Sequence, residues 1–403
     1  MMSIFIKPSL TDLLLTTCLG LFLLIPMVPS IFAQERMDTK VQVLIQQLQD
    51  KDKQVRINAV KEVKRLGVEA KAAIPALALL LKDQEADLRE NAAEALGRMG
   101  VEARAAIPDL TGALKDDRVS VRSNAAFALG QIGGEAGAAA PGLGELLKDQ
   151  NAWVRGNAAY ALGRIGGAKP YMTILIDLLK DQNENVRKDA ASALGRIGVE
   201  AKVAVPALTV LLKDKSAPVR RYTAEALGKI GVEAKPAIPE LIESLKDQEF
   251  TVRTYAAYSL KQIGMDNKVA IPVWTSLLKD KSEHLRSYAA DALGEIGPEA
   301  KTAVPALIEA MKDQDRFVRL SSAKSLGKMG IEAKAAIPAL IELLKDPEPL
   351  VRANACDALG NMGNDAKSAI PALMELQKDP ATAARLAADR AIDKIRSSGA
   401  KPQ

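Results

Sequence analysis

Residues 87–100 read DLRENAAEALGRMG, and residues 120–133 read SVRSNAAFALGQIG. The phrase returns along the whole chain. Its Arg falls at 56, 89, 122, 155, 187, 220, 253, 286, 319, 352 and 385, and every interval is 33 except the 32 between Arg155 and Arg187. Nineteen residues after the Arg stands a proline, at 75, 108, 141, 206, 239, 272, 305, 338 and 371; only the shorter unit beginning at Arg155 lacks it, with Thr173 in that slot. A fixed period of this length marks a repeat architecture, here ten complete units with a half unit at each end.

Within a unit the apolar residues follow a helical period. Leu88, Ala92, Leu96 and Met99 share one face, and Glu90, Glu94 and Arg98 lie opposite. This amphipathic helix, A, is expected to start at a polar residue one turn before the Arg (Asp52, Asn151, Asn183, Ser216, Ser282 or Asp315) and to stop at Gly100, Gly133, Gly198 and their equivalents in a left-handed conformation. A second helix, B, follows in AIPDLTGALKD, with Ile107, Leu110 and Leu114 on one face and a start at Pro108, because proline suits the first helical turn and disfavours helix just before it. VEARAA is then a separate turn. Helices of about 13 and 9 residues cannot bury a face alone and must stack on their neighbours. The expected fold is all-α, an α-solenoid.

A period of 33 also fits ankyrin repeats and nearly fits tetratricopeptide repeats, but the Thr-Pro-Leu-His turn of the first and the Trp-Leu-Gly-Tyr arrangement of the second are absent. VRSNAAFALGQIG followed by AIPALIELLKD resembles the HEAT family, and most closely its short repeats of the phycobilisome-lyase type. The resemblance covers residues 40–396 and implies a superhelix of ten to eleven two-helix repeats. It departs from the pattern at Lys64 and Lys261, which replace the first glycine, and in the last unit, where Asp393 and Arg396 replace both.

An Asp stands six residues before every Arg: Asp83 with Arg89, Asp116 with Arg122, Asp149 with Arg155, Asp181 with Arg187, Asp214 with Arg220, Asp247 with Arg253, and so on. Repeated acid–base pairs could be ligand sites. The resemblance implies instead that they form a ladder fastening each loop to the next, since such pairs specify geometry more than they add stability. Asn58, Asn91, Asn124, Asn157 and Asn354 are expected to hydrogen-bond between repeats, and the Lys before each Asp (Lys82, Lys115, Lys148, Lys378) to meet the negative end of helix B.

Catalytic chemistry finds few residues to use. His284 is the only histidine, no nucleophile-elbow sequence accompanies it, and the cysteines, Cys18 and Cys356, cannot form a zinc knuckle. Deoxyhypusine hydroxylase, a di-iron enzyme with HEAT-like repeats, uses several His-Glu pairs; here the only candidate is Glu283-His284, reversed and alone. No catalytic residue, metal or cofactor is expected. Lys and Arg number 55 against 50 Asp and Glu, too even a balance for a phosphate-tracking stripe, so no nucleic-acid partner is expected.

The N-terminus stands apart. Lys7, then the apolar LLLTTCLGLFLLIPMVPSIFA ending at Ala33, then QERMDTK, reads as a secretory signal peptide with cleavage near Ala33; an uncleaved membrane anchor is the alternative. The expected organisation is a leader over 1–33, a linker and capping helix over 34–50, the solenoid over 51–396 and a disordered tail over 397–403, in an exported monomer.

Function is sought where repetition fails. Phe127, Tyr160 and Tyr258 share one normally polar slot of helix A, Tyr222, Tyr255 and Tyr288 another, and Trp153 and Phe317 a third at the helix start; these are candidate anchors for a protein or peptide partner, although the second row could equally fill gaps between stacked helices. Trp274 replaces a core Leu. On helix B the row Glu145, Asp177, Glu243, Glu309, Glu342 and Glu375 suggests an acidic surface, opposite a basic row of Arg65, Arg98, Arg164, Arg196, Lys229 and Lys328 at the end of helix A. Gly142 and Gly144 inside helix B, and the shortened connection after Gly166, suggest a bend or flexible zone between the third and fifth units. The expected function is a non-catalytic binding scaffold; the alternative is a substrate-holding subunit of an enzyme system such as the phycobilin lyases.

Overall fold

The structure, a computed structural model, describes residues 28–398. The chain divides at Ile197 and Gly198 into two compact units. The first contains α1 (Val28–Gln47), α2 (Lys53–Leu66), α3 (Ile74–Leu80), α4 (Ala86–Met99), α5 (Ile107–Ala113), α6 (Val119–Ile132), α7 (Ala140–Leu146), α8 (Ala152–Ile165), α9 (Met172–Leu178) and α10 (Glu184–Ile197). The second contains α11 (Val205–Leu211), α12 (Ala217–Ile230), α13 (Ile238–Ser244), α14 (Phe250–Ile263), α15 (Asn267–Leu277), α16 (Glu283–Ile296), α17 (Val304–Ala310), α18 (Arg316–Met329), α19 (Ile337–Leu343), α20 (Pro349–Asn361), α21 (Ile370–Leu376) and α22 (Thr382–Ser397). From α2 onward the even helices are A and the odd helices B, so the all-α solenoid is present in both units.

Within each unit successive A helices lie side by side, α14 and α16 excepted, and an A helix packs against the B helix that precedes it. Leu88, Ala92, Leu96 and Met99 are buried in α4, as are Leu110 and Leu114 of the B segment, while Ile107 is half-buried. The link VEARAA forms a 3-10 turn over Gly100–Ala106, and α5 begins at Ile107 with Pro108 in its first turn. At the N-terminal end α1 packs Val41 and Leu44 against α2 and the following turn. The expected leader lies outside the described residues except for its end, and residues 399–403 of the expected tail lie outside them too.

The two glycines of the repeat do different things. The second one ends helix A with positive φ, but Gly100 has φ 57 and ψ −133, outside the left-handed helical region that the sequence suggested; Gly166, with φ 77 and ψ 10, does adopt it. The first glycine is a point of close approach. A Cβ at Gly294 would lie 2.4 Å from Ser325 Oγ, and one at Gly228 2.5 Å from Ser259 Oγ. Both serines use the room to donate back to the neighbouring helix, Ser325 to the Ala290 carbonyl and Ser259 to the Ala224 carbonyl, each at 2.7 Å. Gly142 and Gly144 also have packing reasons: a Cβ on Gly144 would collide with the ring of Tyr171, 2.1 Å from Cε1, and one on Gly142 would come 2.9 Å from Leu114. These helix-weakening residues are sites where a neighbour is seated.

Candidate interaction surfaces

The Arg–Asp ladder is built across layers. Arg89 donates to both oxygens of Asp116 at 2.6 and 2.9 Å, and Arg220 to both of Asp247 at 2.6 and 2.8 Å. Arg122 meets Asp149 and Arg253 meets Asp280 in the same way, and Arg155 directs both Nε and Nη2 to Oδ2 of Asp181. To the Asp six residues before it the Arg gives only its Nη1, which donates to the backbone carbonyl: Arg89 to Asp83 at 3.0 Å, Arg187 to Asp181 at 2.8 Å, Arg220 to Asp214 at 2.8 Å. The same carboxylate accepts the N–H two residues on, as when Glu85 donates to Asp83 and Ser216 to Asp214. One Asp therefore shapes its own loop and receives its neighbour's guanidinium.

This arrangement replaces part of the expected capping. Asp52, Asn151, Asn183 and Asp315 do accept from the first turn of their helices, but Ser216 and Ser282 make no such bond, and Glu85, Arg118, Glu249, Glu348 and Ala381 stand at other starts without one. Burial alone would raise the carboxyls of Asp116 and Asp247, yet the hydrogen bonds from Arg89 and Arg220 and from the loop N–H outweigh it and hold both below the ordinary range. The asparagines divide. Asn124 and Asn157 reach the preceding layer, donating to Glu90 and Ser123 carbonyls, whereas Asn58 and Asn354 bond only within their own helices. Asn91 donates to Asp87 of its own helix and accepts from Lys64 of the layer before.

The expected acidic row of helix B is exposed at Glu145, Asp177, Glu243, Glu309 and Glu342, but the cations are interleaved with it. Lys246, Lys312 and Lys345, three residues on, pair with Glu243, Glu309 and Glu342 at 3.0, 3.0 and 3.3 Å. The Lys expected within the last turn of B stands just beyond it and serves as counter-ion, Lys82 reaching Asp109 at 2.7 Å. The basic row is similarly answered: Arg65 by Glu62, Arg98 by Glu94, Lys229 by Glu225. Half of each row is thus paired locally with a charge of the opposite sign. The 3-10 turns carry a second set of cross-layer pairs, Lys71 with Glu102, Arg104 with Glu135 and Lys301 with Glu332, and beside them the exposed Val68, Val101, Val199, Val232 and Ile331. The GVEAK phrase held that signal.

The aromatic candidates separate by burial. Trp153 is 64% exposed at the start of α8, Tyr258 42% and Phe127 37%. Tyr160, two turns along α8 from Trp153, stacks on Phe127 of α6 with centroids 5.8 Å apart, and its ring lies over Gly130. Tyr222, Tyr255 and Tyr288 are half-buried and fill gaps between layers, the alternative the sequence left open. Arg221 lies 3.8 Å from the Tyr222 ring and 4.7 Å from that of Tyr255, a guanidinium between two rings that the sequence placed nearby without assigning it this role. Tyr288 packs edge-on against Tyr258 at 4.7 Å and against buried Trp274 at 5.9 Å, and burial drives its phenol well above the ordinary value.

Groups suited to chemistry remain dispersed. His284 is exposed beside Phe250 and Glu283, and Cys356 is buried with its thiol pushed up to about 12. Among the described residues no three His, Cys, Asp or Glu side chains are grouped to hold a metal ion, and no helix is long and apolar enough to cross a membrane.

The family pattern described as HEAT repeats matches residues 41–130, 107–172, 140–228, 172–261, 271–345 and 337–403. The chain belongs to the HEAT-repeat family. No curated protein matches it. Among solved structures, this HEAT-repeat protein is similar to an engineered protein at 23% identity and TM-score 0.51, over 89% of this chain and 99% of that one. It is also similar to Kap95p in the Kap95:Nup1 complex, at 14% identity and TM-score 0.55 over 93% of this chain and 59% of Kap95p, and to Kap95p with RanGDP, at 15% and 0.52 over 91% and 60%. It thus spans about three fifths of the Kap95p chains, and these likenesses concern the fold alone.

Proposed function

We propose that this HEAT-repeat protein is a non-catalytic scaffold that holds a partner polypeptide on the exposed face of its A helices, with Trp153, Phe127 and Tyr160 as the anchor. The observation that carries the reading is the exposure of Trp153. A residue seven positions from Tyr160 shares its helical face, about 10 Å along the axis, and Tyr160 is stacked on Phe127, so three rings line one surface of α6 and α8. Large exposed aromatics held by such packing present contact area at low entropic cost, the property of binding hot spots. Kap95p, of the same fold, is described with RanGDP and with Nup1.

The test is capture of partners by the immobilised protein, compared with a Trp153→Ala, Phe127→Ala double variant of equal thermal stability. Loss of the captured polypeptide supports the reading, and unchanged capture removes the patch from it. Export is proposed on the composition of residues 1–33 alone. The N-terminal mass of protein recovered from its native cell tests it: a start near residue 34 is expected, and an intact cytosolic Met1 overturns it.

A further inference from the structure

The second unit contains one layer where the repeat is rebuilt. Lys261 stands in the slot that is glycine in Gly228, Gly294 and Gly327, where a Cβ would meet the next A helix at 2.4 to 2.8 Å. A lysine cannot enter such a contact. The 3-10 turn of that layer is missing as well: after Gly264 only Met265 and the cap Asp266 precede α15, a longer helix that contains Pro272. In consequence α14 and α16 part from one another, while the other successive A helices of this unit lie in close contact. The gap is a cleft of about 300 Å³ with apolar walls from Leu260, Met265, Ala270, Trp274 and Ile296.

The mouth of this cleft has a specific chemistry. Lys261 Nζ bonds Glu295 Oε1 at 2.8 Å and sits 5.3 Å from the centroid of the Tyr288 ring. Beside it Asn267 Nδ2 donates to Glu299 Oε2 at 2.7 Å. The equivalent carboxylates of other layers, Glu102 and Glu332, face a Lys of the preceding turn, Lys71 and Lys301. Here Glu299 faces the amide of Asn267 instead, while Lys261 pairs with Glu295.

We propose that the cleft is a binding site for a lysine or arginine side chain of a bound polypeptide, and that Lys261 occupies the site in the free protein. The inference rests on the reading of the chain as a polypeptide-binding scaffold, but at a different place from the Trp153 patch. A carboxylate and the face of an aromatic ring are what an ammonium or guanidinium seeks, and Lys261 is already using both. An incoming cation replaces one ammonium by another, its stem covering the apolar walls as long basic side chains do. Glu299 supplies the further negative charge that favours the exchange.

The chain has two tryptophans, Trp153 and Trp274, so Trp153→Phe leaves Trp274 in the cleft wall as the only indole reporter. Full-length protein of this background is titrated at low salt with hexalysine and, as control, hexaglutamate. A saturable change in Trp274 fluorescence is expected with hexalysine only. Lys261→Ala should tighten it roughly fivefold, the scale of one exposed ammonium–ring contact, and Glu295→Gln should abolish it. Lys261→Gly, the residue other layers use, repeats the first variant should alanine disturb folding. Absence of a hexalysine signal, an equal one with hexaglutamate, or one unaltered in Glu295→Gln overturns the proposal. The readout does not depend on Trp153, so its failure is separate from failure of the α6–α8 patch.

Discussion

Arg89 donates to both carboxylate oxygens of Asp116, twenty-seven residues on, while giving Asp83, six residues before it, only a bond to the backbone carbonyl. The guanidinium therefore ties two layers together and closes its own loop with the same five-donor fork. Arg286 does the same between Asp280 and Asp313 and is mostly covered. Arg286→Ala leaves a carboxylate and two carbonyls without their donor, and a loss of about 1–3 kcal/mol is expected. Arg286→Lys should recover only part of it, because an ammonium cannot span the fork. Urea denaturation measures the loss, and hydrogen exchange should show it concentrated in the layers of α16 and α18.

Acid should loosen the ladder. In Asp379 the hydrogen bond from Arg352 is the main cause of a lowered pKa, and in Asp116, Asp247 and Asp313 the Arg bonds prevail over burial. A folded pKa below the unfolded one contributes stability that is present above the unfolded value of about 4 and lost as pH falls through the folded value. With Asp189, which titrates in the opposite sense, replaced by Asn, thermal midpoints followed by circular dichroism should be flat from neutral pH to about pH 5 and then fall steeply. A midpoint unchanged down to about pH 2 would show that the carboxylates contribute nothing.

Asp189 has the opposite sign. It takes the slot held by Asn58, Asn91, Asn124 and Asn157 in the preceding layers, is 14% exposed, and burial raises it to about 6, against the pull of Lys188. For an acid with a raised folded pKa, protonation favours folding, so the charge destabilises above about pH 6 and the cost disappears below the unfolded value. Asp189→Asn is expected to stabilise by on the order of 1–2 kcal/mol at pH 8 and by almost nothing near pH 4. Denaturation at the two pH values separates this from a pH-independent packing effect.

Two glycine substitutions should move stability in opposite directions. Gly112, in α5, has open space around an added Cβ, so Gly112→Ala should stabilise by about 0.5–1 kcal/mol through helix propensity. Gly294→Ala places its methyl 2.8 Å from the Ser325 Cα and should destabilise by about 1–3 kcal/mol. Paired thermal melts decide it, and two shifts of the same sign would contradict the close-approach reading of the first glycine.

Sequence alone determined what is local or periodic. The interval of 33, the 3.6-residue apolar spacing in DLRENAAEALGRMG and the proline of helix B define the paired helices, because helical periodicity and proline's fixed φ are properties of the chain itself. The repeated Asp and Arg could be recognised as structural by their resemblance to a family. Tertiary structure decided which partner each residue meets. Glu243 is paired with Lys246 one turn away, so part of a row that reads as acidic is neutralised in space; Tyr258 and Tyr288 stand in different slots of successive A helices, and packing covers Tyr288 with Trp274 while Tyr258 faces solvent. Nor could the letter at 261 show that a lysine in place of glycine parts two helices, for that depends on the backbone facing it in the next layer. Periodicity fixes direction within a helix, whereas exposure and pairing depend on distances between helices, and those are set by the packing of the side chains.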